Sequence, residues 1–153
     1  MGQPGRAVAA GMSTPLVKPL YTARATATGG RSGHAVTDDG MVDVHLKPPK
    51  EMGGPGGGTN PEQLFATGYA ACFQSALAVV GRRQGVNTED SLVEADVTIG
   101  TVAGGGYGLA VVLKVSIPGV DAATAAALTE AAHRVCPYSS ATRGNIEVTL
   151  ESN

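Results

Sequence analysis

The segment TNPEQLFATGYAACFQSALAVVGRRQG, Thr59 to Gly85, decides how this chain folds. Asn60 is a capping residue, Pro61 suits the first helical position, Glu62 falls in the first turn, and Gln63 completes an N-x-x-Q box. The spacing predicts a helix through Leu64, Phe65, Tyr69, Cys72, Phe73, Ala76 and Val80 that ends near Arg83, with Gly85 beyond it. Apolar residues cover most of its circumference, so it reads as a central, buried helix.

Pro48 to Thr59, dense in Gly and Pro, must be loop. Before it, Met41–Leu46 places Val42, Val44 and Leu46 on one face, and Tyr21–Thr28 alternates Tyr or Ala with Thr or Arg. Both read as strands, with Gly29–Gly33 a turn between them. Beyond the helix, Val93–Ile99 and Leu109–Ile117 form a hairpin across Gly104-Gly105-Gly106. Asp121 caps a second helix that stops near Cys136-Pro137, and Ile146, Val148 and Leu150 mark a last strand. This order argues an α+β fold rather than a parallel α/β sheet.

With 153 residues, 42% of them apolar and 16% charged, the chain fits one domain with a real core. Lys and Arg number 11 against 13 Asp and Glu, and aromatics are limited to 4 Tyr and 2 Phe, so no nucleic acid partner is expected. No apolar run approaches about 18 residues, so neither a transmembrane helix nor a membrane partner is expected. Two cysteines 64 residues apart do not make a secreted disulfide framework, and residues 1–12 lack a signal-peptide core. Arg6 breaks the myristoylation pattern. The expectation is a cytoplasmic protein with an unstructured or vector-derived extension over residues 1–15, ahead of a single domain at 16–153.

Few residues can carry chemistry. Gly58 is followed by Thr59 and Asn60, not by Lys and a hydroxyl residue, so the glycine run is no phosphate loop. His34, His45 and His133 are scattered, and only His133 with Cys136 has ligand-like spacing, short of the three or four ligands zinc wants. No metal is expected. Cys72 and Cys136 remain, either as inert core thiols or as a reactive pair. A thiolate deep in a helix gains nothing from the helix N-terminus and needs a nearby cation. Arg31, on a glycine-bounded turn, could supply it, and Glu62 could hold that arginine in an apolar cleft.

Four segments, Ala25–Arg31 (ATATGGR), Thr59–Ala66 (TNPEQLFA), Gly68–Phe73 (GYAACF) and Ala132–Ser139 (AHRVCPYS), resemble the Ohr/OsmC family. Gly105–Leu109 and Ala141–Ile146 resemble it too, and the likeness runs from about Leu20 to Leu150 in the family's order. Ser140 stands where many members carry Asn, and the extension before Leu16 has no counterpart.

The resemblance implies strands wrapped around the central helix and an intertwined homodimer with active sites at the subunit interface. It implies a thiol peroxidase that reduces alkyl or fatty-acid hydroperoxides without a bound cofactor and is recycled by dihydrolipoamide or a lipoylated protein. By motif, Cys72 would be the attacking thiol, Cys136 the resolving thiol that closes a Cys72–Cys136 disulfide, Arg31 the activating cation and Glu62 its orienting partner. Phe73 and Leu64 would lend the pocket its apolar character. The Gly-Tyr-Gly-Leu and Cys-Pro-Tyr-Ser segments favour the Ohr branch over the OsmC branch. A non-catalytic dimer that binds hydrophobic ligands, and a redox switch, are the readings from other classes.

Glu62 and Cys72 are ten residues apart, roughly 15 Å along one helix. Either Arg31 bridges that span, the helix bends or starts later, or the partner subunit supplies one side of the site.

Overall fold

The computed structural model describes Gly5 and residues 14–153. The expected extension over 1–15 therefore lies, apart from Gly5, Thr14 and Pro15, outside the described residues. Two three-stranded sheets and three α-helices make an α+β fold.

The first sheet joins β1 (Ala25–Thr28), β2 (His34–Thr37) and β3 (Asp43–His45), all antiparallel. The strand expected over Tyr21–Thr28 is thus confined to its second half, and β2 was not foreseen at all. Gly30–Ser32 forms one 3-10 turn between β1 and β2. Gly33 closes it so tightly that a Cβ there would sit 1.7 Å from the Thr28 carbonyl oxygen, so no other residue fits.

The Gly/Pro-rich loop is tied at its base. Lys47 N–H donates to Thr59 O at 3.0 Å and Thr59 N–H to His45 O at 3.1 Å, while Leu46 N–H reaches Gly33 O at 2.8 Å. These bonds carry the Arg31 turn to the start of α1 (Pro61–Gln84). Asn60 caps α1 as its sequence predicts, its side-chain oxygen accepting from Gln63 N–H at 2.8 Å. Gln63 does not reach back to Asn60. Its Oε1 accepts the Thr59 hydroxyl at 2.8 Å instead, so only half of the box forms.

The second sheet pairs β4 (Leu92–Thr101) with β5 (Tyr107–Ser116) antiparallel, as the glycine hairpin predicts. It then adds β6 (Glu147–Ser152) parallel to β5. A parallel neighbour requires a crossover. It is built from α2 (Ala122–Val135) and α3 (Pro137–Thr142), the latter too short and polar to have been expected. Asp121 caps α2, accepting from Thr124 N–H.

Helices α1 and α2 pack together against the second sheet. Tyr69, Phe73, Leu77, Val111, Leu113, Ile117 and Leu128 are fully or almost fully buried there. Each such side chain contributes roughly 1.5–3 kcal/mol of transfer free energy. The helix is central but not buried all round: Leu64, Thr67, Ala71 and Gln74 form an exposed stripe opposite the Tyr69–Phe73–Leu77 stripe. Its apolar circumference also amends the expectation about membrane spans. Counted by length and mean hydropathy (1.4 over 18 residues), α1 does reach the range of a spanning helix, though here it forms the core of an α+β fold.

The first sheet contacts chiefly itself, and β1 is exposed throughout. The segment leading into it exposes Leu16, Val17, Leu20 and Tyr21, with Met41 beside the β2–β3 turn equally open.

Candidate active site

Two constellations lie along α1. At its start, the Arg31 guanidinium donates from both terminal nitrogens to both Glu62 carboxylate oxygens, each at 2.8 Å. This fork-on-fork geometry is the strongest form of the ion pair and fixes the plane of the guanidinium. Glu62 is largely covered while Arg31 keeps 41% of its side chain exposed. The Arg31 bond holds the Glu62 carboxyl below its ordinary range, against a smaller opposing effect of burial, and Glu62 in turn raises Arg31.

One helical stretch further on, Cys72 Sγ and Cys136 Sγ are 3.5 Å apart as free thiols. Cys136 is fully buried and Cys72 partly so. Cys136 is the hinge between α2 and α3: its N–H donates to Ala132 O at 2.8 Å, and its carbonyl accepts from Ser140 N–H at 3.0 Å. Pro137 follows with no N–H, so the first backbone donor that α3 offers is Tyr138 N–H. Burial pushes the Cys72 thiol up, the Tyr138 N–H pulls it down less strongly, and the Cys136 thiol adds a further upward push.

Within the protomer, then, the structure brings Arg31 to Glu62 and Cys72 to Cys136, but not one pair to the other. Arg31 is not among the groups that act on the Cys72 thiol. The helix between them is continuous and Glu62 lies inside it, so α1 does not start later than its sequence predicts.

Two apolar cavities run from the ion pair towards α3, and neither is lined by a cysteine. One of about 300 Å³ is lined by Arg31, Glu62, Phe65, Ile99, Tyr107 and Leu109. A second, about 430 Å³, shares Phe65 and Leu109 and continues past Tyr138 to Ile146. Phe65, Tyr69 and Tyr138 stack mutually with centroids 5.7–6.2 Å apart. Phe73 and Leu64, expected at the pocket, are not on these walls. Phe73 points into the core and Leu64 lies on the open face of α1.

The structure also reveals a polar cluster that residue types alone did not suggest. Tyr69 OH lies 2.7 Å from Ser139 Oγ and 3.0 Å from Thr142 Oγ1, and His133 Nδ1 lies 2.8 Å from the same Ser139 Oγ. Burial holds His133 below its ordinary range, and the Arg143 charge adds to this. The only hint in the sequence is that Tyr69 and Ser139 each sit three residues from a cysteine.

The family model for OsmC-like protein matches residues 54–151. An organic hydroperoxide resistance protein of Xanthomonas axonopodis pv. citri is 52% identical over 135 residues, covering 87% of this chain and 94% of its own. The protein OhrB of Bacillus subtilis, likewise named for organic hydroperoxide resistance, is 46% identical over 86% of this chain and 97% of its own. The crystal structure of an organic hydroperoxide resistance protein from Elizabethkingia anophelis superposes with a TM-score of 0.84 at 50% identity, covering 90% of this chain and 99% of that one. The helix that carries Cys72, the elbow that carries Cys136 and nearly all of the second sheet fall inside the matched region, and the chain belongs to the Ohr/OsmC family of OsmC-like proteins.

Proposed function

We propose that the protein is a peroxidase that reduces organic hydroperoxides to alcohols through Cys72 and Cys136. The observation that carries this reading is the 3.5 Å separation of the two thiols, one buried and one partly open, beside an apolar trough. The relatives named for organic hydroperoxide resistance support the substrate class.

In this reading the Cys72 thiolate attacks the terminal oxygen of R–O–O–H. The O–O bond breaks, the hydroxyl passes to sulfur as a sulfenic acid, and the alkoxide takes a proton and leaves as alcohol. The Cys136 thiol then attacks the Cys72 sulfur. The S–S bond forms, and the displaced hydroxide leaves as water with the Cys136 proton. A dithiol of the dihydrolipoyl class reduces the disulfide by exchange and is itself oxidised to its cyclic disulfide. No bound cofactor is called for.

The protein acts as a cytoplasmic homodimer in which Arg31 and Glu62 face Cys72 of the partner subunit. Three features support that assembly. The sheet that carries Arg31 has almost no core of its own, and three short strands need a packed face to be stable. The apolar segment at Leu16–Tyr21 and the open stripe of α1 lack cover among the described residues. Within its own chain burial raises the Cys72 pKa more than the Tyr138 N–H lowers it, which leaves a cation from a second chain to favour the thiolate. There the guanidinium would also stabilise charge developing on the leaving oxygen.

Steady-state turnover with dihydrolipoamide tests the proposal. Wild type should consume cumene hydroperoxide far faster than hydrogen peroxide, and Cys72→Ser should abolish it. Turnover indifferent to Cys72 would overturn the proposal in favour of a ligand-binding dimer with inert thiols.

A further inference from the structure

Cys72 and Cys136 are held together by a second contact that runs alongside them. Tyr69 precedes Cys72 by three residues on α1, and Ser139 follows Cys136 by three residues across the α2–α3 elbow. The two elements are therefore bridged twice, by the sulfur pair at 3.5 Å and by Tyr69 OH to Ser139 Oγ at 2.7 Å. Thr142 at the end of α3 and His133 at the end of α2 bond into the same hydroxyl pair, so three helices meet at one buried polar point. Tyr69 and Ser139 are fully buried, and every hydroxyl of the cluster has a partner. A buried polar network whose members are all paired rigidifies the elements it joins. Gly68 adds to the fit, since a Cβ there would meet the Tyr138 hydroxyl at 3.1 Å.

Resting on the peroxidase reading above, we infer that Tyr69, Ser139, Thr142 and His133 are positioning residues for the resolving step. They clamp the α2–α3 elbow to α1 so that the Cys136 thiol stays within reach of Cys72. Tyr69, Ser139 and His133 line neither cavity, and Thr142 borders the second at its α3 end. The clamp governs disulfide closure, in which Cys136 S–H attacks the Cys72 sulfenic acid and water leaves, and not the preceding attack on the hydroperoxide. A slackened clamp leaves the sulfenic acid waiting, and a second hydroperoxide then oxidises it to the sulfinic acid.

The test separates the two steps. Reduced full-length wild type, Tyr69→Phe and Ser139→Ala are mixed with cumene hydroperoxide and quenched at timed intervals. Dimedone adducts report sulfenic acid, and intact mass reports disulfide and sulfinic acid. Thr129→Ala is the control. It removes another buried hydroxyl, bonded only within α2 to Ala125 O at 2.8 Å, and so reports the cost of a lost core hydrogen bond away from the elbow.

Tyr69→Phe and Ser139→Ala should form sulfenic acid at the wild-type rate yet close the disulfide more slowly by about tenfold or more, as expected when a buried hydroxyl that makes two hydrogen bonds is lost. Both should accumulate sulfinic acid under excess peroxide, and Thr129→Ala should not. Wild-type closure in both variants, or equal slowing in Thr129→Ala, would overturn the inference. The equilibrium of the thiol pair with a dithiothreitol buffer needs no peroxide. A disulfide made about tenfold less favourable in Tyr69→Phe supports the clamp. Absence of sulfenic acid in the wild type would sink the peroxidase reading alone.

Discussion

Arg31 and Glu62, 31 residues apart, meet through two parallel 2.8 Å hydrogen bonds at the first turn of α1. The tied base of the Gly/Pro-rich loop and the tight turn at Gly33 bring them there. Cys72 lies ten residues further along the same continuous helix, roughly 15 Å away along its axis. That offset leads to a test by subunit mixing.

Arg31→Ala and Cys72→Ser should each be inactive alone. In a mixed dimer, one site would combine an intact Arg31 from one chain with an intact Cys72 from the other. Equal mixing through unfolding and refolding should then restore about a quarter of wild-type turnover, because half the dimers are mixed and each holds one good site of two. No recovery would place both halves of the site in one chain.

Glu62→Gln keeps the shape of the side chain but cannot accept both guanidinium bonds as an anion. It should lower kcat/KM for alkyl hydroperoxides about tenfold or more, with the fold intact by circular dichroism. Glu62 also sets an acid limit on stability. Its folded pKa is depressed, so its contribution is fully present above the ordinary carboxylate value of about 4.3 and is lost as pH falls through the lower native value. Urea midpoints of wild type and Glu62→Gln should therefore converge at low pH.

The thiol of Cys72 offers a direct test of the proposed dimer. Burial raises it within its own chain. In the proposed dimer, where it faces Arg31 of the partner subunit, its alkylation by iodoacetamide should show a midpoint below the ordinary thiol value of about 8.5. Arg31→Gln should move that midpoint upward. A midpoint unchanged between the two proteins would remove Arg31 as the activating cation.

His133 should make the fold sensitive to mild acid. Its folded pKa lies below the ordinary 6.5, so the unfolded chain takes up the proton first. Stability is full above about 6.5 and declines as pH falls from there towards the native value. Urea titrations at about pH 7.5 and about pH 5.5 should show this loss, and His133→Gln should flatten it.

Asn60→Ala removes the side chain that caps the first turn of α1 and should cost about 1 kcal/mol in urea unfolding. Because Glu62 lies in that same turn, hydroperoxide turnover should fall with it, whereas Asn60→Asp should keep both.

Much of this architecture was legible because its signals are local. Asn60-Pro61 marks the start of α1, the glycine triplet marks the β4–β5 hairpin, and Asp121 marks α2. Strand β2 escaped notice because His34-Ala35-Val36-Thr37 is four residues long and offers too few alternations beside a glycine-rich turn. Helix α3 escaped because Pro137-Tyr138-Ser139-Ser140 reads as a stop after α2, while here Pro137 ends one helix and opens the next. The parallel β5–β6 pairing depends on where that crossover docks, which no local pattern encodes.

For the site, residue chemistry singled out the cysteines, the arginine and the glutamate, and the structure joins them in two pairs. It did not single out Tyr69, whose place in an apolar helix reads as plain core. Its hydroxyl partners lie 70 and 73 residues away. The same lack of long-range information misplaced Phe73 and Leu64, because an apolar helix does not announce which of its faces meets a cavity.

The sulfurs of Cys72 and Cys136 stand 3.5 Å apart before any oxidation, and a disulfide needs about 2.05 Å. Side-chain rotation should cover the difference, with neither helix required to unwind and the buried elbow left in place. Reduced and oxidised protein should therefore share one outline, with equal protease resistance and equal elution volume. A partner that recognises shape would then have nothing to read in the oxidation state of the thiol pair.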